Sequence, residues 1–403
     1  MLFSPYIPTN LQGNLDNTLL QKANQVILES IKIDPPFAYQ TKQEIFNLLK
    51  MINSYYSNLI ESEGTKPSDI EQALKNNYDT DYKKQKLQKL AIRYIEAQTQ
   101  IKEWIKNGDN PLTKEFILKL HKFFYEDEKM KDYLIIEHNN QKIKMTPGEF
   151  RNKDVIIANH IAPDYKEIDS LMNQFENAYK LRNSMNLETK LLYIISAHHR
   201  FLWIHPFLDG NGRISRLLLD ACFYYIELEG YGLWSISRGF AKYQEKYRKA
   251  LGMADLKREG DYDGRGFLSL KNLIYYVDSI LDIIQDQITY SQTLMPFDKL
   301  FDRIELFITL TQNPSFLNVK NQIIHKLPIY ASNVLKEILV KGEIKRGDVK
   351  KLISRSDRTA SDLIKKLIQM ELIEPTNPKS TKSSLKIKIP VYYSKILFPE
   401  LGK

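Results

Sequence analysis

Apolar residues recur at spacings of three and four along most of the chain. Between Ile168 and Met185 they form one stripe, made of Ile168, Leu171, Met172, Phe175 and Tyr179. The stretch KEFILKLHKFFYED carries a similar stripe of Phe116, Leu120, Phe123 and Phe124. This period indicates amphipathic helices that pack on a shared core. The sequence therefore predicts a mainly α fold.

Two segments in the middle of the chain predict buried helices. ETKLLYIISAHHRFLWI is apolar nearly all round, so it predicts a central helix that ends just before His205. RISRLLLDACFYYIELEG predicts a second buried helix, with Gly230 as its C-cap. The short link between them, HPFLDGNG, holds most of the candidate chemistry.

Two other regions depart from the helical pattern. Residues 138–163 combine turn residues with the β-branched run VII, which predicts a hairpin or flap between helices. From ASNVLKEIL onward, three short helices are predicted, followed by a basic loop and an alternating strand pair in TNPKSTKSSLKIKIPVYYS. This order is typical of a winged helix-turn-helix domain. We expect a small α+β domain there.

Composition limits the classes of protein that fit. A chain of 403 residues with 43% hydrophobic and 27% charged residues is long enough for two or three globular domains. No run of about 18 apolar residues occurs, so we expect no membrane span, and the N-terminus does not predict a signal peptide. Cys222 is the single cysteine, which excludes an internal disulfide and favours a reducing cytoplasm. The net charge of +9 comes mainly from lysines, which are typical of solvated surface.

The link HPFLDGNG has the residues of a phosphate site. Pro206 cannot continue the incoming helix, so His205 lies at the mouth of a loop. Gly210 and Gly212 allow the backbone to approach a ligand closely. The next helix is predicted to start near Arg213, where its free N–H groups and dipole would attract an anion.

The side chains around that helix start predict group transfer to a hydroxyl. Arg213 and Arg216 are three residues apart and supply positive charge on one helical face. Asp209 is a candidate Mg²⁺ ligand beside phosphates. Asn211 could donate or accept at a phosphate oxygen. A neutral imidazole at His205 could take a proton from a hydroxyl, so a phosphorus-centred group would move onto that oxygen.

The segment HPFLDGNGR resembles the signature of Fic (filamentation induced by cAMP) domain proteins at every specified position, and Arg216 matches too. The resemblance implies a Fic-type helical bundle with a β-hairpin flap and an AMPylation activity, in which a protein Ser, Thr or Tyr hydroxyl attacks the α-phosphorus of ATP with Mg²⁺ bound. It implies His205 as general base, Asp209 as Mg²⁺ ligand, and Tyr247 as an aromatic residue of the nucleoside pocket. It implies a phosphate cradle formed by Gly210, Asn211, Gly212 and Arg213, with Arg216 at the γ-phosphate.

Upstream, SNLIESEG resembles the inhibitory motif of the same family, S/T-x-x-x-E-G/N. The resemblance implies that Glu61, four residues after Ser57, pairs with Arg216 and keeps ATP from binding productively. Ser62 departs from the pattern, because the family has Gly or Asn at that position. Glu63 is an alternative register, but Leu59 lies four residues before it.

Several other residues have structural interpretations. His198 and His199 are adjacent in a buried helix, so a shared metal site is not expected. His160 is assigned to flap packing or a target groove. DYDGRG, residues 261–266, is interpreted as a turn because it lacks EF-hand spacing. Cys222 is expected to be an inert core residue.

The predicted domain order places an N-terminal helical region at 1–100, with an inhibitory helix at about 53–64. A Fic core at 101–285, a helical linker at 286–325 and a winged helix-turn-helix at 326–403 follow. The segment DRTASDLIKKLIQ, with Arg358, Lys365 and Lys366 and the nearby Arg355, is the candidate DNA-recognition helix. Docking or dimerisation is the alternative role of this module.

Three functions stay open at this point. The first is an autoinhibited adenylyltransferase. The second is a DNA-binding regulator that uses the Fic core as a nucleotide sensor. The third is a deAMPylase, in which Glu61 positions a water. Self-modification and a homodimer also stay open, and no membrane partner is expected.

Overall fold

The computed structural model describes residues 3–10, 12–33, 37–138, 141–157, 160–317 and 322–401. Within them the α-helices are α1 (Asn17–Ile31), α2 (Tyr39–Ile60), α3 (Pro67–Leu74), α4 (Tyr82–Lys106), α5 (Lys114–Tyr125), α6 (Ile168–Ala178), α7 (Leu187–Ile204), α8 (Asn211–Tyr225), α9 (Ile236–Lys242), α10 (Gln244–Ala254), α11 (Leu270–Leu294), α12 (Phe297–Leu310), α13 (Ala331–Lys341), α14 (Arg346–Ile353), α15 (Asp357–Gln369) and α16 (Val391–Leu397). The strands are β1 (Ile135–His138), β2 (Gln141–Lys144), β3 (Ile156–Ile157), β4 (His160–Ile161), β5 (Glu343–Ile344), β6 (Ile373–Pro375) and β7 (Leu385–Ile387). Short 3₁₀ turns span Glu128–Tyr133, Tyr165–Glu167 and Pro314–Leu317. The mainly α prediction is confirmed.

The predicted apolar stripes are the buried faces of their helices. In α6 the stripe residues Ile168, Leu171, Met172 and Phe175 are all buried. Helix α5 begins where the Thr113 side chain accepts a hydrogen bond from Phe116 N–H, an N-cap that satisfies one free donor. Helix α7 is buried nearly all round and packs against α1, α6, α8 and α11. It therefore forms the centre of the core, with α8 directly beside it.

Helix α2 lies against α8 and also packs on α4 and α9. Residues Ser54, Ser57 and Asn58 near its C-terminal end are buried, although they are polar. The segment predicted as the inhibitory helix, at about 53–64, covers the last part of a longer helix, which starts at Tyr39 and ends at Ile60, and the turn after it. Glu61 is its C-cap and not a helical residue.

The flap expected ahead of the signature is an antiparallel hairpin. Strands β3 and β4 pair Ile156 with Ile161 and Ile157 with His160. Residues 158 and 159, inside the predicted flap, lie outside the described residues. The side chains of Ile156 and Ile161 are largely exposed, so this hairpin presents an apolar edge to solvent.

The last third of the chain combines helices with a small sheet. Strand β7 lies between β5 and β6, and both pairings are antiparallel. The predicted strand pair is wrong at VYYS, which begins α16 directly after Pro390. Proline has no N–H to continue a ladder, which explains why the alternating pattern stops there.

This C-terminal part packs on the first half of α2. Thr41 Oγ1 donates a 2.8 Å hydrogen bond to the Leu339 carbonyl, and both atoms are buried. Val391 N–H donates to the carboxylate of Glu71 on α3 at 3.0 Å. The helix that reaches the signature at one end therefore carries the C-terminal part at the other.

Three predicted boundaries differ from the structure. The proposed domain borders at 100/101 and 285/286 fall inside the continuous helices α4 and α11. An amphipathic pattern does not show where a helix passes from one region of the fold to another. Helix α8 ends at Tyr225, and Glu227 takes the left-handed conformation just after it, with φ 53°; Gly230, with φ 78°, lies beyond the helix end and is not its C-cap. No described helix has the length and apolar content needed to cross a membrane.

Candidate active site

The loop between α7 and α8 presents His205 in a strained conformation. His205 caps α7 with φ 50° and ψ 60°, in the left-handed region, which costs roughly 1–2 kcal/mol for a residue with a Cβ. Pro206 follows and ends the helix. Such a conformation persists only when the surroundings hold it in place.

Arg151 holds this conformation, and the sequence did not single it out. Its Nε donates to the His205 carbonyl at 2.9 Å, and its backbone N–H donates to the Pro206 carbonyl at 2.8 Å. The remaining guanidinium nitrogens donate to the carbonyls of Lys153 and Pro163, at the two ends of the flap. One buried arginine therefore ties the flap to the loop that carries His205. Most of its contacts are to backbone carbonyls, which have no spacing signature in the sequence, and its ion pair with Asp154 is 3.6 Å long.

One ring nitrogen of His205 has a hydrogen-bond partner, and the other has none among the described residues. Its Nδ1 lies 3.3 Å from the Leu202 carbonyl, so Nδ1 carries the proton and Nε2 keeps its lone pair. Burial lowers the pKa of His205 to about 4, and the positive charge of Arg151 acts in the same direction. At neutral pH the ring can accept a proton at Nε2.

Asn211 fixes the shape of the loop. Its Oδ1 accepts from Phe207 N–H at 3.0 Å, and its Nδ2 donates to the Phe207 carbonyl at 2.8 Å. Phe207 is fully buried and stacks on the His121 ring at a centroid distance of 3.8 Å. The Asn211 amide therefore braces the loop, and a contact of that side chain with phosphate stays a prediction. Its backbone N–H, at the first residue of α8, is the group that can face an anion.

Both signature glycines are required by close neighbours. Gly210 has φ 82° and packs against the Tyr125 side chain, so a Cβ would overlap the phenol. At Gly212 a Cβ would overlap the carboxylate of Glu61. Because Gly212 has no side chain, the Glu61 carboxylate can lie directly against the backbone at the start of α8.

Arg216 is buried and fully engaged by the end of α2. It is 2% exposed, and its Nε donates to Ser57 Oγ at 2.7 Å. Its Nη2 donates to the Ser57 carbonyl at 3.0 Å and to Glu61 Oε1 at 2.7 Å. Burial alone would raise the pKa of Glu61, but Arg216 and then Arg213 hold it below its ordinary value.

Arg213 has partners that the sequence did not predict. Its Nε donates to Asn58 Oδ1 at 3.1 Å, and its Nη2 donates to the carboxylate of Glu63. The Tyr125 hydroxyl lies 3.5 Å from Nη1. Two acidic residues, Glu61 and Glu63, therefore neutralise the two signature arginines.

The turn after α2 explains how both acids reach the site. Ser62 has φ 62°, and its N–H donates to the Leu59 carbonyl at 2.9 Å, while Glu63 N–H donates to the Asn58 carbonyl at 2.9 Å. This pair of bonds is a Schellman motif, with Ser62 at the position where glycine is preferred. The departure noted in the sequence is thus a serine in a conformation that suits Gly or Asn.

The remaining candidate residues have distinct positions. Asp209 is half-buried on the loop just before Gly210. No group of three or more His, Cys, Asp or Glu side chains suited to a metal occurs among the described residues. A single carboxylate still fits Mg²⁺, which takes its other ligands from phosphate and water.

Tyr247 lies in the core and does not line an open pocket. It is 2% exposed, and its ring stacks on Phe240 at a centroid distance of 4.1 Å. His198 is hydrogen-bonded to the Tyr276 hydroxyl, whereas His199 pairs with Asp255. Asp263 accepts from the backbone N–H of Glu259 and from that of Lys271 at the start of α11, so it ties its turn to that helix. These residues support the fold, and the predicted nucleoside contact of Tyr247 has no exposed ring face to serve it.

Comparison with known proteins finds relatives of the segment around this site. The model of the Fic/DOC family matches residues 111–223, which include the loop and all of α8 except its last two residues. Residues 111–223 are therefore similar to the Fic/DOC family. A solved Fic domain-containing signalling protein from Bacteroides thetaiotaomicron shares the fold over 68% of this chain and 96% of its own, with a TM-score of 0.53 and 19% identity. A Fic family protein from Desulfovibrio desulfuricans aligns over 96% of this chain and 97% of its own, with a TM-score of 0.50 and 14% identity.

Curated relatives of this part of the chain carry a functional name. Protein adenylyltransferase Fic from Drosophila mojavensis is 33% identical over 131 residues, which are 32% of this chain and 22% of the relative. The protein of the same name from Drosophila melanogaster is 41% identical over 73 residues, 18% of this chain and 15% of the relative. The chain thus spans about a fifth or less of the length of these relatives.

Proposed function

We propose that this chain is a protein adenylyltransferase, which moves AMP from ATP onto a hydroxyl side chain of a target protein and is autoinhibited by Glu61. One observation carries the proposal. His205 lies on the loop that leads into α8, and its Nε2 is available to accept a proton. In α8 itself the buried Arg213 and Arg216 pair with acidic residues of the same chain. The names of the curated relatives support the same activity.

The chemistry assigned to His205 is general-base catalysis. Its Nε2 takes the proton of a Ser, Thr or Tyr hydroxyl as the oxygen bonds to the α-phosphorus of ATP. The bond from the α-phosphorus to the bridging oxygen breaks, and pyrophosphate leaves. The bond from Nδ1 to the Leu202 carbonyl keeps the ring in the tautomer that this step requires.

The start of α8 is assigned to the phosphates. Its free N–H groups and the Arg213 side chain oppose the negative charge that builds up during transfer. Asp209 would hold Mg²⁺, which neutralises phosphate charge when bound. We assign Arg216 to the γ-phosphate, so that its pairing with Glu61 leaves this end of ATP unheld.

The experiment uses ATP labelled at the α-phosphate with Mg²⁺. Wild type, Glu61→Gly, His205→Ala and the Glu61→Gly/His205→Ala double variant are each incubated with and without a cell lysate. Label on protein with Glu61→Gly, weak in wild type and absent in both His205 variants, would support both the adenylyltransferase activity and its inhibition by Glu61, which we call the brake. Equal labelling by wild type and Glu61→Gly would show that Glu61 does not inhibit the enzyme.

Hydrolysis, in which water attacks the phosphorus of a protein-bound AMP and releases AMP and the free hydroxyl, is a second candidate reaction for the same site. The Glu61 side chain is 34% exposed, so its carboxylate can reach a water molecule as well as Arg216. Hydrolysis of an AMPylated protein by wild type but not by Glu61→Gly would favour a deAMPylase.

We also propose that residues 326–403 are a winged helix-turn-helix module. The succession of α13, β5, α14, α15, β6 and β7 supports it, as does the antiparallel sheet. Arg355, Arg358 and Lys365 on and before α15 are exposed, which suits contacts to DNA phosphates. Salt-dependent binding to duplex DNA that is lost in an Arg355→Ala/Arg358→Ala variant tests this, and binding unchanged in that variant would contradict it.

A further inference from the structure

The turn that ends α2 delivers a second carboxylate to the phosphate site. Glu61 is the C-cap of the helix, and Glu63 lies two residues later, after the left-handed Ser62. The Schellman hydrogen bonds place both side chains against α8. Glu61 pairs with Arg216, and Glu63 pairs with Arg213.

Each pair joins a buried cation to a carboxylate that solvent can reach. The Arg213 side chain is 4% exposed and Glu63 is 33% exposed, and the values for Arg216 and Glu61 are 2% and 34%. A buried guanidinium needs a partner, so each acid supplies charge that a phosphate would otherwise supply. A partly exposed carboxylate can leave its arginine without being trapped in the core.

We propose that Glu63 is a second inhibitory residue, which occupies Arg213 while Glu61 occupies Arg216. The proposal rests on the function proposed above, in which Arg213 contacts the phosphates next to the reacting phosphorus. While Glu63 occupies Arg213, ATP must displace a carboxylate before it can use that arginine. Removal of Glu61 alone therefore leaves the site partly closed.

The two arginines are held by different hydrogen bonds, so the inhibition by Glu63, which we call the second lock, can be tested separately from that by Glu61. Its Nε is held by Asn58 and its Nη2 by Glu63, and neither contact involves Glu61. Arg216 is held instead by Ser57 and Glu61. After Glu61→Gly the Asn58 and Glu63 contacts still satisfy Arg213. In Glu63→Gln the side chain at position 63 no longer neutralises Arg213. The positive charge of Arg213 then attracts an incoming phosphate more strongly.

The test measures the binding of MgATP by calorimetry, in the absence of any target protein. The variants are Glu63→Gln, Glu61→Gly and the double variant, with wild type for reference. Glu103→Gln, on the exposed surface of α4, is the control for the change in net charge. Thermal unfolding of each variant confirms that it folds, and the Glu63→Gln side chain keeps the size of the original.

We expect Glu63→Gln to tighten MgATP binding about tenfold in the Glu61→Gly background, the effect of one charge-assisted pair. Glu103→Gln should leave the affinity unchanged. If Glu61→Gly binds MgATP as tightly as the double variant, the second lock is refuted while the proposed function stands. If none of the folded variants binds MgATP, the proposed function fails and the second lock fails with it.

Discussion

The carboxylate of Glu61 accepts a 2.7 Å hydrogen bond from Nη2 of Arg216, across the contact between the end of α2 and the start of α8. The acid is one third exposed, whereas the arginine is buried. The interaction can therefore open by a local movement of the turn at residues 61–63, with α8 left in place. The strength of the inhibition therefore depends on the conformational stability of that turn.

Substitution of Ser62 by glycine should strengthen the brake. A serine at φ 62° carries a Cβ in the left-handed region, and glycine removes about 1 kcal/mol of strain there. We expect Ser62→Gly to raise the melting temperature and to lower the basal AMPylation of wild type by several-fold. Ser354→Gly is the matched control, because Ser354 has φ 51° at the end of α14, remote from the signature. It should raise stability alone, and a fall of activity in both variants would contradict the account.

Arg151 should act as a positioning residue for His205. In the Glu61→Gly background, Arg151→Met removes the hydrogen bond to the His205 carbonyl and the nearby positive charge, so kcat should fall by at least tenfold with a smaller change in KM. The buried His205 has a pKa of about 4, and loss of a neighbouring cation raises that value.

The pH profile separates this role from simple destabilisation. The base works above its pKa, so the acid limb of kcat/KM for free enzyme should move to higher pH in Arg151→Met. Arg151→Lys keeps the charge and should keep the limb close to its original position. An acid limb at the same pH in both variants would show that Arg151 has only a structural role.

Gly212 should be intolerant of a side chain even when the brake is absent. A Cβ there overlaps the Glu61 carboxylate, and the account places a phosphate in that same space. In the Glu61→Gly background, we therefore expect Gly212→Ala to weaken MgATP binding by about tenfold or more, since the helix N–H groups become shielded. Gly252→Ala on α10 meets no atom within 4 Å and should bind MgATP normally. Normal binding by Gly212→Ala would place the phosphates elsewhere.

The sequence predicted the parts of the site that follow from local spacing. The helix end at His205 and the mainly α fold come from periodicity and from a proline, which act within a few residues. The contact of Glu61 with Arg216 was expected only through the resemblance to a known motif. Its residues are 155 positions apart in the chain, a separation that no helical period can report.

Other features depend on tertiary contacts that carry no sequence pattern. Glu63 was set aside because Leu59 lies four residues before it, yet the Schellman turn at Ser62 brings it to Arg213. Arg151 reaches His205 and the flap through hydrogen bonds to backbone carbonyls, which every residue has. Tyr247 looked like a pocket residue, but Phe240 covers its ring in the core. In each case the decisive partner lies on another element.

The central claim is that the group transferred to protein is AMP. Parallel incubations of Glu61→Gly with Mg²⁺ and ATP labelled at either the α- or the γ-phosphate test it most directly. The account predicts that protein acquires the α-label only, and that His205→Ala in the same background abolishes it. Transfer of the γ-label, or α-labelling that survives His205→Ala, would contradict it.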